Sequence, residues 1–435
     1  LAGSLTIRGA SIVRSAGVLV GDVVVVDGII REVAPSARSV AGEVVDGRGL
    51  VLMPGVIDPQ VHFRDPGLTH KEDLATGSRA AAAGGVTAFL EMPNTKPNTS
   101  TLEALDAKLA IGAEKCVVHY GFFIGATGHN DDVLDAADKA CGIKIFMGAS
   151  TGDLLVTDPD VLDRIFRTAN KLIAVHAEDE RRLIERKASL PADHPRDHPV
   201  LRDATAALMA TKQAVGLSLK YGTRLHVLHV SSEEEADFLT TVPRDRITAE
   251  VCPHHFVLDY EDYERLGTRA QCNPPVRGGR HATALWKHLV AGTFDCTATD
   301  HAPHTLEEKG KPYPGSPSGM PGVEWLLPLM ADRVARGMCT WPDLARWMCE
   351  GPARCYGIVG KGKIEPGYDG DLVLVDPRAT RTIRDGEVWT KCGWSPFDGW
   401  TTTGWPVMTV IDGQPVFRDG GIVDGVRGRA LTYQR

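Results

Sequence analysis

The chain has 435 residues, which at about 150 residues per domain allows three domains, or one α/β barrel of about 250 residues with a smaller unit. Lys+Arg 48 against Asp+Glu 56 leaves a net charge of −8, so there is no basic field to hold nucleic acid or an anionic membrane. Hydrophobic residues at 43% with 24% charged can build a packed core and argue against disorder.

Residues 1–53 carry short β-type runs (LTIRGASIV, GVLVGDVVVVDG, IIREVAP, GEVVDGRGLVLMPG) broken by Gly, Asp and Pro. Between them and residues 363–435, over residues 54–362, apolar strands alternate with helical stretches, the pattern of a parallel sheet made of βα units. Eight strands are expected: LVLMPGVID, VTAFLEMP, CVVHYGFFIG, GIKIFMG, KLIAVHAE, RLHVLHVSS, RITAEVCP and FDCTATD. The clearest helices are 71–83, 102–114, 161–171, 204–221 and 282–291, with Asp at their starts and Gly at their stops. The predicted fold class is α/β, a (β/α)8 TIM-type barrel. The β texture returns in DGDLVLVDP, RTIRDGEVW and MTVIDGQPVFRDGGIV, so both chain ends are expected to form one small β-sandwich. Segment 305–322, rich in Gly, Pro and charge, reads as a mobile loop at the barrel mouth.

Nine Cys without a CxxC pair fit a reducing compartment. With no signal-peptide pattern and no run of about 18 apolar residues, the expected location is cytoplasmic. Asn98-Thr99-Ser100 matches a glycosylation acceptor, which a chain in that location does not use.

In a (β/α)8 barrel the chemistry sits at the C-terminal ends of the strands. Those ends carry His62, Asn94, His176, His229 and Asp300, with Lys144 inside the fourth strand. A single His is more often structural than a ligand, but three His and one Asp at one mouth point to a metal. Nitrogen with carboxylate oxygen suits Zn2+ ahead of Mn2+, Co2+ or Fe2+. Lys144 has two readings: a rim lysine with its head in water, or a neutral amine that adds CO2 and bridges metals as a carbamate. His226, His254 and His255 are expected to be structural or supporting.

The stretches DPQVHFRDPG, MPNTKP, GIKIFMGAS, VHAED, LHVLHVSS, NPPVR, TDHAPHTLEEK and KGKIEPGYDGDLVLVD, in that order, resemble the amidohydrolase superfamily and within it the dihydroorotase family. The resemblance implies a zinc enzyme that reversibly cyclises N-carbamoyl-L-aspartate to L-dihydroorotate in pyrimidine synthesis. It implies His62, Lys144 as carbamate, His176, His229 and Asp300 as metal ligands, with Asp300 also moving the proton. Arg64, Asn94 and His304 would hold the substrate carboxylate and Asn273 its ring. Taken alone, Arg64 beside a Phe and an Asp has a structural ion pair as its alternative reading.

One position departs from the family's Asp-x-His-x-His pattern, where Gln60 stands for the first His. A neutral amide is a poor zinc ligand beside imidazole, so one tightly bound zinc with a weak or missing second, or an inactive relative, all stay open. The rival readings are a hydantoinase or allantoinase, which needs no carboxylate clamp, and a silent homologue acting as scaffold for aspartate transcarbamoylase. A small-molecule substrate, no nucleic acid, no membrane, and either a homodimer or a transcarbamoylase complex complete the expected partners.

Overall fold

The computed structural model describes residues 3–148 and 152–434. The N-terminal strands are β1 (Leu5–Arg14), β2 (Gly17–Val26), β3 (Ile29–Ala34), β4 (Glu43–Asp46) and β5 (Val51–Pro54). The barrel strands are β6 (Val56–Val61), β7 (Val86–Glu91), β8 (His119–Phe122) with β9 (Ile124–Gly125), β10 (Ile143–Phe146), β11 (Ile173–His176), β12 (Leu225–Val227), β13 (Ile247–Val251) and β14 (Cys296–Thr297). The C-terminal strands are β15 (Leu372–Thr382), β16 (Thr401–Ile411), β17 (Gln414–Arg418) and β18 (Gly421–Ile422).

The barrel strands run parallel in the order in which they occur. The third is broken into two pieces, β8 pairing with β7 and β9 with β10. A parallel bridge from Val61 to His301 joins the first strand to the eighth, with the His62 N–H on the His301 carbonyl at 2.7 Å. Eight parallel strands closed in this way, with helices between them, form a (β/α)8 barrel.

The pleat decides which residues see the helices and which see the barrel interior, because successive side chains point to opposite faces. Ile143, Ile145, Ile173, Val175, Leu225, Val227, Ile247 and Val251 join the large cluster that also holds helix residues such as Leu162, Ile165 and Leu285. Their neighbours Lys144, Ala174, His226 and Glu250 therefore face inward, and the register sets Lys144 beside Ala174 and Ala174 beside His226.

The helices begin and end where short polar residues and glycine put them. Asp73 caps Leu74–Ala83 in a reciprocal box with Thr76. Asp203 caps Ala204–Tyr221, and Gly222 closes it at φ 73, a left-handed turn that glycine takes without a Cβ clash.

Both chain ends share one nine-stranded sheet, ordered β18-β17-β16-β15-β5-β1-β2-β3 with β4 on β1. Leu5, Ile7, Val23, Val25, Leu52, Leu372, Leu374 and Val410 fill its core, and this is the β-sandwich. Not all of the C-terminal part stays there. RTIRDGEVW contributes only Arg381 and Thr382 at the end of β15, after which the chain crosses to the barrel mouth. There the Trp394 indole N–H donates to the His304 carbonyl at 2.8 Å and Lys391 pairs with Asp73 at 2.8 Å.

Segment 305–322 is fastened rather than loose. Thr305 and Glu308 form a capping box on Leu306–Lys309, and the buried Lys309 ammonium donates to the carbonyls of Gln271 and Pro317. A buried ammonium without such acceptors would be costly.

Candidate active site

Three residues at the strand ends have a backbone that L-residues seldom adopt: Arg64 (φ 65), His229 (φ 37) and Asp300 (φ 47). Among the described residues, the other three non-glycine residues with positive φ are Asp27, Asp412 and Asp419, each in an Asp-Gly pair where a tight turn demands it. The strain at Arg64, His229 and Asp300 has no such turn to explain it, and backbone strain of this kind concentrates at functional sites.

On one side of the mouth, His176 ends β11 and His229 lies two residues past β12. His176 Nδ1 and His229 Nε2 face each other at 3.0 Å. The other His176 nitrogen donates to Glu178 Oε2 at 2.7 Å, which leaves Nδ1 as the lone-pair nitrogen. Arg202 grips Glu178 with two guanidinium nitrogens. Burial opposes the charge, yet Arg202 and His176 hold the Glu178 carboxyl well below the usual carboxylate range. Burial pushes both His176 and His229 down, so both rings are neutral and fit to donate a lone pair. His229 Nδ1 is buried without a hydrogen-bond partner.

Lys144 lies beneath them, 1% exposed, with Nζ 4.5 Å from the centre of the Phe146 ring. Among the described residues no hydrogen bond or ion pair reaches it. Burial pulls its ammonium down to about 7 against the opposing pull of Asp300 and Glu250. The last two residues of GIKIFMGAS, Ala149 and Ser150, lie outside the described residues.

On the other side, Asp300 Oδ1 collects the Gln60 amide at 3.0 Å and His62 Nε2 at 3.1 Å. His62 Nδ1 meets Asn94 Oδ1 at 2.7 Å, so the His62 lone pair points at the Asp300 carboxylate. Gln60 Oε1 is buried with no partner. Asp58 clamps this side, accepting from the Thr299 N–H at 3.1 Å and its hydroxyl at 2.5 Å. Burial pushes the Asp58 carboxyl up to about 7.

Arg64 is 7% exposed, and its guanidinium lies 3.3 Å from His304 Nε2 and 3.3 Å from the Pro303 carbonyl. Lys71 Nζ approaches His304 Nδ1 at 3.1 Å. Burial, with these two cations beside it, keeps the His304 imidazole neutral. Among the described residues no carboxylate forms an ion pair with Arg64, although burial already pulls it down to about 10.

The structure thus joins His62, Asn94 and Asp300, joins His176 with His229, and joins Arg64 with His304. Asn273 stands apart from these contacts and accepts from His198 at 2.9 Å. Sequence reasoning missed Glu178, Arg202, Asp58 and Lys71. Glu178 was within reach, since a carboxylate two residues after a strand-end His is placed to fix that ring's tautomer; Arg202 comes from the bend after the short helix His198–Leu201, 24 positions from Glu178, and was not.

The His62 lone pair faces the Asp300 carboxylate at 3.1 Å, two buried acceptors that call for a cation or a proton between them. The His176 lone pair faces His229 Nε2 at 3.0 Å, and His229 Nδ1 is buried without a partner, so the pair keeps an unsatisfied nitrogen whichever one carries the His229 proton. The donor set of imidazoles, one carboxylate and a neutral amine suits a divalent transition metal.

Residues 51–416 match the amidohydrolase family. The chain is 36% identical over 425 residues to a dihydroorotase of Halobacterium salinarum, covering 94% of this chain and 99% of that one. It is 36% identical over 450 residues to an allantoinase of Rubrobacter xylanophilus, covering 99% and 98%. Among solved structures, an L-hydantoinase from Arthrobacter aurescens superposes with a TM-score of 0.94 at 28% identity, covering 99% of this chain and 100% of that one. No helix among the described residues is long and apolar enough to cross a membrane. With the family matched across most of its length and the strand-end donors in place, this chain belongs to the amidohydrolase family.

Proposed function

We propose that the chain is a metal-dependent cyclic amidohydrolase that interconverts N-carbamoyl-L-aspartate and L-dihydroorotate. The observation that carries the choice of substrate is Arg64, a buried cation with no carboxylate partner at the rim of the donor site. Such a group is costly unless an anion completes it, and both proposed substrates bring a carboxylate. Lys71, on the far side of the neutral His304, is already paired with Glu308 at 3.1 Å, which leaves Arg64 as the cation for the substrate.

Lys144, as a carbamate, with His176 and His229 would hold one divalent ion, Zn2+ by donor type; His62 and Asp300 would serve a weaker second one. A divalent ion there supplies the Lewis acidity that polarises an amide carbonyl and eases deprotonation of water. Carbamate formation needs the neutral amine, and burial of Lys144 favours that form. Glu178 and Arg202 fix the His176 ring. Gln60 and His62 both bind Oδ1 of Asp300, so Oδ2 is left to take a proton and deliver it to the ring nitrogen. Asn94 orients His62 and stands ready for the substrate carboxylate.

A hydantoinase or allantoinase reading draws on the allantoinase relative and the hydantoinase fold, but it leaves Arg64 without a partner. The test is turnover of dihydroorotate, carbamoyl aspartate, hydantoin and allantoin by the purified protein and by Arg64→Met. Losing one partner of a buried charge pair costs about 2 to 5 kcal/mol, so dihydroorotate turnover should fall by orders of magnitude while hydantoin turnover changes little. Faster turnover of hydantoin or allantoin by the unmodified protein would replace this reading, and a folded, metal-loaded protein inert towards all four would favour the scaffold.

A further inference from the structure

Among the described residues, three clusters outside the site bring three metal-type donor atoms within 4.8 Å of one another: His119 with Asp371 and Asp412, His226 with Glu250 and Cys296, and Cys252 with His254 and His255. The first two are already satisfied. His119 Nε2 meets Asp371 at 3.3 Å, and His226 Nε2 meets Glu250 at 3.0 Å while its Nδ1 meets Thr248 at 2.7 Å. An imidazole whose ring nitrogens are held by a carboxylate and a second partner in this way needs no ion.

The third cluster differs. It is the run Cys-Pro-His-His directly after β13, where a short helical turn, His254–Val257, starts behind Pro253. Cys252, His254 and His255 are 0%, 4% and 2% exposed. His254 Nε2 and His255 Nδ1 are buried with no hydrogen-bond partner, and the rings lie 4.2 Å apart at an interplanar angle of 56°. The other His255 nitrogen donates to the Pro274 carbonyl at 3.1 Å, which leaves Nδ1 as the lone-pair nitrogen, as in a ring oriented for a metal. No carboxylate belongs to the group. Neutral polar atoms left unmade in a dry interior are costly, and two such nitrogens within reach of the Cys252 sulfur share one remedy.

We propose that Cys252, His254 and His255 form a separate metal-binding site, built for a zinc-class divalent ion and sharing no ligand with the site at the strand ends. The donor set is one thiolate and two imidazoles, which suits Zn2+ with a fourth position open. On binding, the Cys252 S–H bond breaks, the sulfur lone pair goes to the ion and the proton leaves to solvent. Burial favours the protonated thiol and the neutral imidazoles in the free site. A cavity of about 10 Å3 lined by His254, Pro253, Thr299 and mostly apolar neighbours adjoins the cluster on the His254 side.

The site would be tested on the full-length protein loaded with Co2+ under reducing, anaerobic conditions. A thiolate bound to Co2+ gives an intense sulfur-to-metal charge-transfer absorption, which the Lys144, His176, His229 site cannot produce because it has no sulfur. The band is expected in the unmodified protein, lost in Cys252→Ala together with about one cobalt per chain, and retained in Lys144→Met, whatever that variant does to turnover. His254→Gln with Cys252 intact weakens the band, which keeps the test open should Cys252→Ala fold poorly. Absence of the band in folded, cobalt-loaded protein overturns the site. So does a band that survives Cys252→Ala, which would belong to Cys296 or Cys355, or one that disappears in Lys144→Met.

Discussion

The two halves of the barrel mouth are built to different standards. On the β11 and β12 side, two neutral imidazoles face each other at 3.0 Å, and one of them is oriented through Glu178 by a two-pronged Arg202. On the β6 side, Gln60 replaces a nitrogen donor, spends its N–H on Asp300 and leaves its own oxygen unpartnered. One half is braced from behind for a cation; the other is partly satisfied within itself. The contrast teaches that a single substitution can unbalance a pair of adjoining metal positions while the strands that carry them stay in place.

The largest effect is expected from Lys144→Ala, because Lys144 lies beneath the better-built half. Most of the bound metal and turnover should be lost, with small carboxylic acids restoring part of both; metal analysis and turnover measure this. Unchanged zinc and turnover would show that the amine is a bystander.

Glu178→Gln attacks the brace alone. The amide cannot hold the His176 tautomer as the carboxylate does and leaves Arg202 without its partner, so metal affinity should drop by about 10- to 100-fold. Chelator competition reads this directly, and an equal drop for Asn94→Ala on the other half would erase the contrast.

Gln60→His should repair the weaker half, raising tightly held zinc from about one toward two per chain after dialysis against a mild chelator. Two tightly held ions already present in the unmodified protein would mean that the halves are equal.

The smallest effect concerns pH in metal-free, uncarboxylated protein. The Lys144 amine sits at about 7 in the fold and near its ordinary value of about 10.4 when unfolded. Between these the unfolded chain holds the proton and the folded one does not, so stability rises with pH across that window. The advantage of Lys144→Met in thermal melting should therefore shrink from pH 7 to pH 10. A constant difference would place the amine in water.

The eight strands and the long helices were legible because each is written locally. LHV and ITAEV are apolar runs of β-branched and aliphatic residues, and Ala204–Tyr221 stands between an Asp cap and a glycine stop. His62, His176, His229 and Asp300 were legible as a group because the barrel rule gathers strand ends at one mouth. RTIRDGEVW misled, since its β texture is local while its path to the mouth is set by contacts such as Arg269 with Asp385, more than a hundred positions apart. The apparent looseness of 305–322 failed in the same way, as Lys309 finds its acceptor at Gln271.

The sequence by itself determined the alternation of strands and helices and the absence of an imidazole at position 60. These depend on periodicity and residue chemistry, which are carried by neighbours in the chain. Only the tertiary structure decided that Arg202 locks Glu178, that Asp58 ties β6 to Thr299, that Arg64 goes without a carboxylate, and that one nitrogen each of His254 and His255 is left unpartnered beside Cys252. Each of these is a question of which polar atoms meet after the chain has closed on itself, and burial sets the cost of leaving any of them unmet.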